Sequence, residues 1–231
     1  MKKIILIAAL AIIGFGITAF ISPKADSSGG SFEGVITYSV TNNNSGRLTK
    51  NGQKITQVCY LKNGKMRMVT SGGVFENTII TDCDNLANPI ILFDIQTSKY
   101  QLKKDPADKL PDPEIKYTDE TKTIMGYTCH KAEITMYADK EKKNWRVDEV
   151  YYTQDISGSS CQEVFKGLKG FPLEWGTEKV ANNAKANTDR STAITIEKRS
   201  VSDDEFKLPP GYKVVTREEM NQDFAKNHTQ K

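Results

Sequence analysis

Short runs of alternating apolar and polar residues, separated by turn residues at close intervals, limit this chain more than any other feature. Residues 32–40 place Phe32, Ile36, Tyr38 and Val40 on one side of an extended segment. The runs 54–61 and 65–71 flank Asn63-Gly64, a dipeptide whose readily accessible positive φ suits a two-residue hairpin. Gly72-Gly73 marks the next turn, and 74–81 returns as a third strand. Further strands are expected at 89–95 and 100–103, before an irregular connection at 105–113 that holds three prolines. Connections this short leave no room for the helical crossover that joins parallel neighbours, so antiparallel hairpins must dominate.

The second half continues the pattern. Strands are expected at 128–137, 145–154, 171–180 and 192–200, with one helical turn within 162–168. Thr216, with Glu219 three residues on, forms a capping box for a C-terminal helix that carries Met220 and Phe224 on one face. Nine to eleven strands and one or two short helices describe a mainly β chain, expected as a strongly curved antiparallel sheet or half-open barrel.

The N-terminus carries a separate instruction. Met1-Lys2-Lys3 is followed by a stretch without charge from Ile4 to Pro23, in which Ile-Thr-Ala at 17–19 offers a small residue where a signal peptidase could cut. Residues 1–25 are therefore expected to be a cleaved signal peptide or, alternatively, an uncleaved anchor; 26–31 form a tether, and 32–231 a single β-rich domain. Either outcome exports the remainder to the periplasm or cell envelope, touching the membrane only through that first segment. The formal net charge of +3 falls to +1 without Lys2 and Lys3, which gives no electrostatic reason to expect nucleic acid as a partner.

Four cysteines, Cys59, Cys83, Cys129 and Cys161, read in an exported chain as two disulfides with three possible pairings. The neighbour pairing, 59 with 83 and 129 with 161, closes the shortest loops and is the expectation. It meets one obstacle: in a three-strand meander Cys59 and Cys83 lie on strands separated by a third, so Cys83 has to swing across the hairpin end.

Groups able to carry chemistry are sparse. His130 and His228 are the two histidines; His130 reads as a core histidine on the apolar side of its strand, and His228 sits at the terminus. No G-x-S-x-G, G-x-x-x-x-G-K-[ST] or G-x-G-x-x-G is present, and no C-x-x-C pair proposes a metal. Asp148 and Glu149 are adjacent in a strand and point to opposite faces, so they cannot act as an acid/base pair. Asp82-Cys83-Asp84-Asn85 reads as a polar turn rather than a cation loop. No enzyme, cofactor or metal site is expected.

Four segments resemble, in order, an exported bacterial family defined by domain of unknown function 4412. Thr123 to Cys129 resembles its I-x-G-Y-x-C strand entry, and Val150 to Ile156 its aromatic-x-[ST]-x-[DE]-[IL] segment. Lys169 to Glu174 is similar to its K-G-x-P-L turn, and Phe206 to Lys213 to its closing F-x-[VLI]-P-x-G-[YF] signature. The resemblance covers roughly 90–215. It implies a fold akin to LolA-like periplasmic lipoprotein carriers, a half-open barrel around a small helical element, and no catalytic residues.

Such a barrel offers an apolar concave face. The expected ligand-binding residues on it are Tyr38, Met66, Met68, Phe93, Met136, Tyr151 and Trp175, methionine being well suited to irregular cavities. Both Tyr151 and Tyr152 carry rings on one strand, so one must face away from the core. The leading expectation is a non-enzymatic envelope protein that binds a lipid, acyl chain or other hydrophobic small molecule. The alternative is an interaction module for another envelope protein, and a hydrolase ranks last.

Overall fold

The computed structural model describes residues 32–41, 54–72, 76–95, 98–103, 111–156, 161–181 and 189–228. The expected signal segment 1–25, the tether 26–31, the start of the expected strand 74–81, residues 105–110 of the proline-rich connection and the side chain of His228 lie outside them.

Twelve strands hydrogen-bond into one open, curved sheet. They are β1 (Gly34–Thr41), β2 (Ile55–Lys62), β3 (Lys65–Ser71), β4 (Glu76–Asp82), β5 (Ile90–Ile95) and β6 (Ser98–Leu102). The second half adds β7 (Glu114–Ile124), β8 (Tyr127–Tyr137), β9 (Trp145–Thr153), β10 (Phe171–Val180), β11 (Arg190–Lys198) and β12 (Lys213–Val215). Among the described residues one α-helix, α1 (Arg217–His228), follows β12. The spatial order is β12-β6-β5-β4-β3-β2-β1-β11-β10-β9-β8-β7. Two meanders, β1 to β6 and β7 to β11, thus join where β1 pairs with β11. All neighbours run antiparallel except β12, which lies parallel to β6.

Local chemistry accounts for most of this. Asn63 and Gly64 take φ of 47° and 72°, the two positive values that a type I′ hairpin requires between β2 and β3. Met125 and Gly126, at 49° and 83°, make the corresponding turn between β7 and β8. At α1 the Thr216 backbone N–H donates to Glu219 Oε2 at 2.7 Å, and Glu219 N–H donates to Thr216 Oγ1 at 3.2 Å. The capping box forms as read from the sequence. Met220 is buried against Tyr100, Leu102 and Val215, whereas Phe224, expected on the same face, is 39% exposed.

Two strands exceed the sequence expectation. β7 is a polar edge strand whose middle, Thr118 to Glu120, breaks register with β8. Such a bulge with flanking charges blunts an edge against pairing with a foreign strand. β12 is three residues long and is held by its parallel partner.

The cysteine pairing differs from expectation. One disulfide is present, Cys83–Cys161, with Cα atoms 4.5 Å apart, and Cys59 and Cys129 are buried thiols. The meander explains why. β2 and β4 flank β3, so Cys59 stands about 10 Å from β4 at ordinary strand spacing, beyond the reach of a disulfide. Cys83 does cross the hairpin end, donating its backbone N–H to the Gly64 carbonyl at 2.7 Å, but it meets Cys161 there.

Candidate functional site

Register partners in an antiparallel sheet share a face, and residues two apart along a strand do so again. Tyr38 pairs with Ala193, Ser191 with Trp175, Trp175 with Val150, and Val150 with Ala132. Across the other meander Tyr38 pairs with Gln57, Gln57 with Thr70, Thr70 with Asn77, Asn77 with Phe93, and Phe93 with Tyr100. Ile36 brings Cys59 and Met68 to the same side, and Gly34 brings Leu61 and Met66. Six of the seven expected binding residues therefore lie on one continuous face: Tyr38, Met66, Met68, Phe93, Met136 and Trp175.

They are not equally accessible. Tyr38 and Met66 are 1% exposed and Met68 5%, whereas Phe93, Met136 and Trp175 are half-buried. The Tyr38 hydroxyl is satisfied by donation to the Pro172 carbonyl at 3.0 Å. Burial pushes that phenol well above its ordinary pKa, with the nearby Cys59 adding to the effect, so it stays neutral.

Part of this face is covered by the chain's own connection between β9 and β10. The sequence predicts only a helical turn within 162–168 here, and Glu163–Phe165 forms a 3-10 turn. Residues 161–170 form a strap with three attachments. At one end Cys161 is bonded to Cys83, just beyond β4. In the middle Phe165 and Leu168 are buried against Ala132, Ile134, Val150 and Tyr152. At the other end the Tyr117 hydroxyl on β7 donates to the Gly167 carbonyl at 3.2 Å and accepts from the Lys169 backbone N–H at 3.2 Å. The Lys169 ammonium lies 5.3 Å from the Tyr117 ring centroid, which completes the clasp.

The strap also measures the curvature of the sheet. β4 and β7 stand fourth and twelfth in the strand order. In a flat sheet eight strand intervals would separate them by about 38 Å. Six residues from Cys161 to Gly167 span at most about 21 Å when fully extended. The sheet must roll for one short segment to touch both. Phe165 fills the space so formed: it stands edge-on to Trp175 at 5.4 Å, and Trp175 stands edge-on to Tyr38 at 4.9 Å.

The seventh expected residue, Tyr151, lies on the opposite face with Lys131 and Glu174. The outward ring of the Tyr151-Tyr152 pair is thus Tyr151, and a lattice of charge covers it to 5% exposure. Lys122 sits 3.7 Å above its ring centroid, and its hydroxyl donates to Glu120. Burial, and then the hydrogen bond to Glu120, push the Tyr151 phenol up to about 12. Glu174 accepts from Lys122 and Arg190, each at 2.6 Å; Arg190 also reaches Glu149 at 3.0 Å and Glu178 at 2.6 Å. Lys131 joins Glu149 at 2.7 Å and Glu120 at 3.0 Å. Burial works to raise the Glu174 carboxyl, and its two cationic donors outweigh that and hold it below its ordinary value.

The other sequence candidates take structural places. Asp82 Oδ1 accepts from the Asp84 N–H at 2.9 Å, as a polar turn does. Asp148, buried on the strap face, accepts from Thr177 Oγ1 at 2.8 Å, and burial raises its carboxyl, while Glu149 points to the charged face. The His130 ring lies 6.0 Å from that of Tyr152. Among the described residues no group of histidine, cysteine, aspartate and glutamate is arranged to hold a metal ion. No described helix is long and apolar enough to cross a membrane.

No protein-family model matches the chain, and no curated protein does. Among solved structures, PNGF-II in its C2 crystal form is 15% identical with a TM-score of 0.49, covering 87% of this chain and 34% of that one. The P21 form of PNGF-II gives the same identity and score, covering 84% and 34%. The chain thus spans about a third of the length of the PNGF-II chains it matches. A DUF1329 family protein from Desulfovibrio piger is 8% identical with a TM-score of 0.34, covering 79% of this chain and 91% of that one.

Proposed function

We propose that this protein is a non-enzymatic binding protein of the bacterial envelope that holds a lipid, an acyl chain or a similar hydrophobic molecule against the strap-covered face. One observation carries the reading: six aromatic and methionine side chains from distant strands share one face of a rolled, open sheet, and three of them, Phe93, Met136 and Trp175, are only half-buried. Apolar surface of that kind binds through area and shape, and methionine and aromatic rings adapt to an irregular chain. Export by the N-terminal segment, and membership in the family with domain of unknown function 4412, belong to the same proposal. Both rest on the sequence segments quoted above. A disulfide is compatible with an exported protein.

Native mass spectrometry of the protein purified from the periplasm, followed by organic extraction, tests the reading. A co-purifying lipid near unit stoichiometry supports it. A clean apo mass with no extractable lipid overturns it. In that case the interaction-module reading takes over, for which Leu208 and Val214, 46% and 51% exposed, offer an apolar surface to an envelope protein.

A further inference from the structure

We propose that the Cys83–Cys161 disulfide is a reducible latch, a substrate for a dithiol reductant, and that opening it frees the strap from the apolar face of the sheet. The inference deepens the binding reading, on which it rests, by naming how access to that face is controlled.

The attachments of the strap differ in kind. Toward β4 the disulfide is accompanied by long, sulfur-mediated contacts: Cys161 Sγ to the Gly64 carbonyl at 3.8 Å, and Gln162 Nε2 to Met68 Sδ at 4.0 Å. Toward β7 the clasp is one tyrosine hydroxyl, the Lys169 ammonium near its ring and an exposed ion pair, Lys166 to Asp112 at 2.7 Å; between the two ends Phe165 and Leu168 are held by packing alone. The sheet is built without the strap. Each strand from β4 round to β9 is held by backbone hydrogen bonds to its neighbours, and no residue of 161–170 belongs to that ladder. Cutting the disulfide therefore removes the covalent tie of the cover and leaves the sheet's own hydrogen bonds in place.

The two sulfurs are unequally placed. Cys161 is 1% exposed, while Cys83 is half-buried. A reductant thiolate attacks Cys83 Sγ; the S–S bond breaks, a mixed disulfide forms, and Cys161 leaves as a thiolate that takes a proton from water. The second thiol of the reductant attacks the mixed disulfide and releases Cys83 as a thiol. The protein gains two electrons and two protons, and the dithiol becomes a disulfide. The remaining cysteines do not compete. Cys59 is 0% exposed with its thiol pushed up to about 12 by burial, and Cys129, also 0% exposed, is pushed up to about 11 by the same cause.

Hydrogen exchange read by mass spectrometry tests the latch, using the full exported chain before and after dithiothreitol treatment. Exchange in 161–170 should rise about 100-fold on reduction, the scale of a lost cross-link, while β1, β2 and β9 stay within about twofold. Cys83→Ala/Cys161→Ala should reproduce the reduced pattern without reductant. Unchanged exchange in the strap overturns the proposal. So does a parallel loss of protection in the strands, which makes the bond a staple of the fold. Uptake of 11-(dansylamino)undecanoic acid separates the two readings. If the strap loosens but neither redox state takes up the probe, the latch stands and the hydrophobic-ligand reading fails. If both states take it up at equal rates and the strap does not respond, the latch fails and the ligand reading stands.

Discussion

Phe165 stands edge-on to Trp175, with ring centroids 5.4 Å apart and planes at 74°. This contact is one of those that join the strap to the sheet: Phe165 belongs to the β9–β10 connection, and Trp175 sits on β10 and in turn touches Tyr38 on β1. The cover is thereby keyed to the centre of the sheet, where the two meanders meet.

Phe165→Ala removes the anchor, and its cost should follow the usual figure for a buried ring, about 3 kcal/mol. Urea unfolding should show a lower midpoint. In a Trp145→Phe background the Trp175 emission should shift to the red. An unchanged emission would mean that the ring does not hold the strap over Trp175.

Tyr117→Phe removes one donated and one accepted hydrogen bond at a residue that is 36% exposed. The expected loss is about 1 kcal/mol. The more telling readout is local: exchange at 167–169 should accelerate while that of β8 does not. Equal acceleration in both would show Tyr117 holding the edge strand rather than the strap.

Glu174→Gln tests the charged face. Because Lys122 and Arg190 lower its pKa against the opposing effect of burial, the Glu174 carboxylate contributes stability that is fully present above the unfolded value of about 4.3. That stability is lost as pH falls through the lower folded value. Wild type should exceed the variant by about 2 kcal/mol at pH 7, the scale of hydrogen bonds to a charged group. The two should converge at more acid pH. A gap that does not narrow as the pH falls would assign the effect to packing.

Gly211 and Gly34 are needed for different reasons. Gly211 has φ of 88° and nothing within 4 Å of the place a Cβ would take, so Gly211→Ala should cost about 1 kcal/mol of backbone strain. At Gly34 a Cβ would stand 2.2 Å from the Glu197 carbonyl oxygen on the neighbouring strand. Gly34→Ala must push β1 and β11 apart, and its melting temperature should fall further than that of Gly211→Ala. The reverse order would contradict the assigned β1–β11 register.

Several parts of this architecture were legible because their cause is local. Asn63-Gly64 carries its own turn geometry, and Thr216 with Glu219 carries its own cap. β7 was harder to read. Its polar, bulged sequence lacks a sustained two-residue apolar period because an edge strand buries little, and pairing with β8 makes it a strand. The sequence pattern assigns Tyr151 to the ligand face, and register puts it on the other. A pair of adjacent tyrosines states that two faces are used and not which is which, until the partners Lys131 and His130 are known.

The amino-acid sequence by itself determined the β-rich class, the turns and caps, and the alternation that places apolar side chains on one side of each strand. These are interactions within a few residues, whose geometry the backbone and side chains impose wherever the segment sits. Only the tertiary structure decided that Cys83 meets Cys161, that β1 pairs with β11, and that the β9–β10 connection becomes a strap clasped by Tyr117. Those contacts link residues scores of positions apart. They depend on how far the sheet rolls, which is a property of all twelve strands together.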